Sequence, residues 1–101
     1  MTLEQQFEEV LYWRREVVGE TGPTLASGKM VTEASEVLDL FIKATDWPDR
    51  EVDEEHLKQE IGDVLVTVVG VCDETELTME ECIDAAMTKN ASDDWQEDRG
   101  L

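Results

Sequence analysis

Apolar residues recur at helical spacing in four separate stretches of this chain. Leu3, Phe7, Val10, Leu11, Val17 and Val18 form the first stripe, and Gly19 and Gly22-Pro23 break it. Thr2 is placed to cap the opening turn, with Gln5 answering three residues on as a capping box. A second stripe, of Met30, Val31, Ala34, Val37, Leu38, Phe41 and Ile42, predicts a helix from Leu25 or Lys29 to Ala44. The Asp46-Trp47-Pro48-Asp49 segment stops it, because the residue before a proline is pushed away from helical geometry. Asp53 then caps a third helix, which has acids in its first turn and Leu57, Ile61, Val64, Leu65, Val68 and Cys72 on one face. The valine-rich run 64–71 reads as a strand in isolation, but the helical spacing before it and the next cap decide for helix. Thr78 with Glu81 opens a fourth helix, with Met79, Cys82, Ile83, Ala86 and Met87 inward. The expectation is all-α: a helical domain over 1–92, four helices in a bundle with antiparallel neighbours, and a polar tail over 93–101 that frays.

Charge changes the picture more than length does. The 101 residues suit one domain. Against 26 Asp and Glu stand 8 Lys and Arg, a net charge of −18. Such a surface repels nucleic acid backbones and anionic membranes, so neither is expected as a partner. A polyanionic small substrate would need a metal ion to mediate its approach. The acid excess also resembles proteins of salt-rich cytoplasm, with an acidic mesophilic or viral protein as the plainer alternative. No apolar run approaches the ~20 residues of a membrane span. The amino terminus lacks the basic and apolar regions of a signal peptide, so the expected location is cytoplasmic. Cys72 and Cys82 make no CxxC pair and read as buried free thiols.

The chemistry lies in a repeated phrase. Glu33-Ala34-Ser35-Glu36-Val37-Leu38 on the second helix returns as Glu60-Ile61-Gly62-Asp63-Val64-Leu65 on the third. At ~100° per residue, each acid pair shares one side of its helix, at the same angular offset from the apolar stripe. In an antiparallel pair, equal offsets let the two acid stripes face each other. Four converging carboxylates repel unless protonated or neutralised. A hard divalent cation with oxygen ligands neutralises them directly, which suits Mg²⁺ or Mn²⁺. A carboxylate-bridged di-iron centre would call for Glu-x-x-His pairs, and the chain has one histidine. The plain alternative is solvated acids at chance spacing, the reading given to Glu8, Glu9, Glu54 and Glu55.

Other residues carry weaker signals. Arg14 falls within the first apolar stripe, as a snorkelling surface residue or as one facing the acids or a phosphate. His56 sits one turn before Glu60 on the acid stripe and reads as a surface residue near a helix start, with contact to substrate or metal as the alternative. Trp13, Trp47 and Trp95 are offered to packing or to a base. Gly62 and Gly70 lower helix propensity and hint at close helix contact.

Taken together, the motifs resemble the MazG-type all-α nucleoside triphosphate pyrophosphohydrolases, a family related to dimeric dUTPases. The resemblance covers roughly Lys29 to Asn90 and rests on Glu33-Ala-Ser-Glu36, Glu60-Ile-Gly-Asp63 and Met87-Thr88-Lys89-Asn90. It implies that Glu33, Glu36, Glu60 and Asp63 ligate Mg²⁺, with Mn²⁺ as a substitute. It further implies water attack at the α-phosphorus of a nucleoside triphosphate, releasing monophosphate and pyrophosphate, with Glu36 or Glu33 as candidate activator of the water. Lys89 and Asn90 would contact phosphate or nucleotide, and Lys29 lies on the acid stripe, facing phosphate or pairing with Glu33. Many relatives carry a lysine four residues before the asparagine and a basic residue after it. Ala86 and Asp93 stand there in this chain. Phosphate contact then falls to Lys89, Arg14, Arg15 or a neighbouring subunit. Four short helices scarcely enclose a nucleotide, so a homodimer or homotetramer is expected, as in relatives. The alternative of another class is a non-catalytic acidic helical module binding a metal or a basic partner; a nucleic-acid mimic is a third.

Overall fold

Local capping sets three of the four helix starts. In the computed structural model, which describes residues 1–46 and 51–91, α1 spans Leu3–Val17, α2 Pro23–Asp46, α3 Glu54–Thr75 and α4 Met79–Asn90. Thr2 and Gln5 form the expected capping box: the Gln5 amide donates to Thr2 Oγ1 at 3.1 Å, and the Thr2 amide donates to Gln5 Oε1 at 2.7 Å. The Asp53 carboxylate accepts from the Glu55 amide, and the Thr78 hydroxyl accepts from the Glu81 amide. The 64–71 run is helical. α2 begins earlier than the expected Leu25 or Lys29. Gly22 turns the chain at φ +82°, and Pro23 takes the first helical position, where no amide donor is needed. Trp47, Trp95 and the expected tail at 93–101 lie outside the described residues.

α2 and α3 make the main packed pair, and α1 lies on α3. The short link after Asp46 leaves α2 and α3 antiparallel. α4 touches the other helices only slightly. The resulting core is thin. Among the described residues the buried apolar side chains are Ala26, Val69 and Cys72, and none of them is wholly enclosed. Much of the expected core is exposed instead: Leu3, Val17 and Val18 on α1, Val31, Leu38, Phe41 and Ile42 on α2, Ile61 and Leu65 on α3, and Ile83 and Met87 on α4. Val31 is 66% exposed and Met87 59%. The periodicity predicts one core, but the apolar stripes are wider than the neighbouring helices cover. The radius of gyration, 16.3 Å, exceeds the ~13 Å of a compact chain of this length. The two thiols meet at the α3–α4 junction with their Sγ atoms 4.0 Å apart; both are free, Cys72 buried and Cys82 half-buried.

A polar clamp supplements this core. Arg14 is 6% exposed, so it neither snorkels nor reaches the Glu33–Glu60 region. Its Nη1 donates to Asp73 Oδ2 at 3.1 Å, and its Nη2 to Glu74 Oε1 at 2.9 Å and to Thr21 Oγ1 at 3.2 Å. Glu74 Oε1 also accepts from the Thr21 amide at 2.8 Å. That amide first, and Arg14 second, hold the Glu74 carboxyl below the usual range. Arg15 adds a contact to Asp73 from outside. The clamp thus joins α1, the turn before α2 and the last turns of α3. Gly70 makes room for it: a Cβ there would stand 2.7 Å from Arg14 Nε. Gly62, by contrast, faces open space within this chain, so its expected close helix contact is absent here.

Two substitutions separate these roles. Arg14→Ala takes the buried cation from two carboxylates at the end of α3, leaving Asp73 to Arg15 and Glu74 to the Thr21 amide, and should destabilise by on the order of 3 kcal/mol. Gly70→Ala forces the pinned guanidinium aside and should lower stability despite the better helix former. Gly28→Ala, in open space on α2, should raise it by up to ~1 kcal/mol. Urea unfolding midpoints check all three.

Candidate metal centre

The helical period puts Glu33 and Glu36 on one side of α2 and Glu60 and Asp63 on one side of α3, and the antiparallel pairing turns these sides together. One carboxylate oxygen each from Glu33, Glu36 and Glu60 lie within 4.8 Å of one another. Glu33 and Glu60 are half-buried and Glu36 is exposed. Asp63 falls outside this trio, although its charge acts on Glu33. Among the described residues no lysine or arginine pairs with any of the four.

The electrostatic consequence is direct. The Glu36 carboxyl beside it, then burial, then the charges of Asp63 and Glu60 hold Glu33 above the usual carboxylate range. Glu36 and burial do the same to Glu60, with His56 opposing. His56 Nε2 lies 3.1 Å from Glu60 Oε1. The other oxygen, Glu60 Oε2, is buried with no hydrogen-bond partner. A buried, unpartnered carboxylate oxygen between two further carboxylates fits a bound cation, and an all-oxygen donor set fits a hard divalent one.

The remaining expected site residues are more scattered. Lys29 is exposed one turn before Glu33 and forms no ion pair with it. Lys89 and the half-buried Asn90 close the last turn of α4, the helix least attached to the rest. Arg14 is anchored on Asp73, on the order of 20 Å along α3 from Glu60. His56 is half-exposed, as its surface reading expects, and it also touches the cluster through Glu60, as its one-turn spacing on the acid stripe allows. A cleft of about 1270 Å³ lies elsewhere, between α1 and the start of α4, walled by Phe7, Leu11, Val69 and Met79.

Comparison with known families decides what this arrangement belongs to. The sequence model of the MazG nucleotide pyrophosphohydrolase domain matches residues 23–94. The chain belongs to this family. No curated protein and no solved structure matches it. The MazG match opens at the first residue of α2 and takes in α3, α4 and all four acids, leaving α1 and most of the Arg14 clamp's α1 side outside it. As a MazG domain, the chain carries a nucleotide pyrophosphohydrolase fold, all-α and without strands among the described residues.

The cluster should show in the pH dependence of the metal-free protein. Glu33 and Glu60 bind protons more tightly folded than unfolded, so their contribution to stability falls as pH rises through the raised values. Glu36→Gln removes the leading cause for both. In EDTA the melting temperature of this variant, minus that of the wild type, should be small at acid pH and grow as pH approaches about 7. A difference that stays constant with pH would contradict the shared repulsion.

Proposed function

We propose that this MazG domain is a Mg²⁺-dependent nucleoside triphosphate pyrophosphohydrolase that converts a ribo- or deoxyribonucleoside triphosphate to the monophosphate and pyrophosphate. The observation that carries the reading is the trio Glu33, Glu36 and Glu60, drawn from two helices inside the family-matched segment and paired with no lysine or arginine among the described residues. These three, with Asp63 alongside, hold the ion, and Mn²⁺ can replace Mg²⁺. When bound, a divalent cation neutralises the triphosphate, polarises the phosphoryl group and lowers the pKa of water beside it.

The chain's own residues do the rest. Glu36, the most solvent-exposed of the trio, orients the attacking water and takes its proton, with Glu33 the alternative for that role. Attack at the α-phosphorus forms a new P–O bond and breaks the bond to the bridging oxygen, which leaves with pyrophosphate. Lys29, on the acid stripe and outside any ion pair, binds a phosphate oxygen as a point charge. Lys89 and Asn90 contact nucleotide or phosphate from α4. Arg14 supports the fold and leaves substrate contact to these residues.

The active unit is a homodimer or homotetramer. The apolar faces left open on α2, α3 and α4 support this, since such surface on a soluble chain marks an interface. The net charge of −18 argues against nucleic acid or membrane partners, and no helix among the described residues is long and apolar enough to cross a membrane. A cytoplasmic location agrees with the free thiols. Ala86, in place of a family lysine, favours the second reading, a non-catalytic acidic module binding a metal or a basic partner.

Incubation with a panel of nucleoside triphosphates should yield monophosphate and pyrophosphate in Mg²⁺ and neither product in EDTA. Orthophosphate release would indicate another phosphohydrolase, and no turnover with any substrate would favour the binding module. Light scattering at micromolar concentration should give a dimer or tetramer; a monomer would contradict the assembly.

A further inference from the structure

We propose that His56 is a positioning residue for the metal centre, holding one oxygen of Glu60 so that the other is presented to the ion; this rests on the metal reading above. His56 is the chain's one histidine and lies one turn before Glu60 on α3. Its Nε2 lies 3.1 Å from Glu60 Oε1, and against a carboxylate oxygen the pair is a hydrogen bond in the tautomer that carries the proton on Nε2. The two oxygens of Glu60 are therefore unequal. One is engaged at the rim by a half-exposed imidazole, and the other is buried without a partner.

The terminal torsion of a glutamate is broad and roughly two-fold, so packing alone does not fix its carboxylate plane. A directional hydrogen bond to Oε1 does fix it and leaves Oε2 unengaged, in a carboxylate that has one oxygen within 4.8 Å of oxygens of Glu33 and Glu36. No other donor on α3 competes for this work. Lys58, two residues on, is turned to Glu54 and Glu55.

The same contact means little for the fold. An exposed pair one helical turn apart adds only a small increment to helix stability. Hydrogen bonds that orient a metal-ligating carboxylate matter far more to the ion, and their loss typically weakens binding ~10–100-fold. A structural role and a positioning role therefore separate in measurement.

The test is Mn²⁺ binding to the full chain, followed by electron paramagnetic resonance of the free ion, for wild type, His56→Ala and His56→Gln. The alanine variant should bind Mn²⁺ ~10–100-fold more weakly, with a melting temperature in EDTA unchanged from wild type. Glutamine, whose side-chain amide also donates, should recover most of the affinity. Equal Mn²⁺ affinity for wild type and His56→Ala would overturn the proposal, as would a glutamine variant as weak as the alanine one. A wild-type chain that binds no Mn²⁺ would overturn the metal reading itself, and this inference with it.

Discussion

Three carboxylates from two helices share a space into which, among the described residues, no lysine or arginine reaches. Helix packing elsewhere relieves such a conflict by turning acids to solvent or pairing them. Here Glu33 and Glu60 are half-buried, both carboxyls are held above their usual range, and Glu60 Oε2 is buried without a hydrogen-bond donor among the described residues. In the proposed reading, a divalent cation relieves this repulsion and, in the same position, mediates the approach of a triphosphate to a chain of net charge −18, so that stability and substrate binding would draw on one electrostatic feature.

The rest of the chain serves to keep that pair together. Its apolar core is thin, and the Arg14 clamp ties α1 and the turn before α2 to the far end of α3, away from the acids. Opposite charges are satisfied at one end of α3 and left unsatisfied nearer the other. The apolar faces that remain open give a second copy of the chain a surface to cover, and α4, scarcely attached to its own chain, carries Lys89 and Asn90.

What could be read from the sequence was what is encoded locally. Thr2 with Gln5, Asp53 and Thr78 cap helices through neighbours two or three residues away, so their roles follow from the order of residues alone. The acid pairs were legible because helical period and a short connection together fix which sides meet. Pro23 was misread because a proline after glycine signals a break as readily as a first turn. The Arg14 clamp was out of reach, since its partners at Asp73 and Glu74 are distant in sequence and nothing local predicts the pairing. Periodicity marks an apolar face without saying whether a neighbour covers it, and Val31, Leu38 and Met87, expected inward, are exposed. Asp63 shows a similar limit: spacing puts it on the right side of α3, but only the side-chain geometry decides that it stands beside the trio.

The most direct test of the central claim is a crystal structure of the chain grown with Mn²⁺, with anomalous diffraction used to locate the ion. The account predicts an anomalous peak bounded by carboxylate oxygens of Glu33, Glu36 and Glu60. Full-length crystals with these side chains ordered and no peak between them, or with manganese held elsewhere, would contradict it.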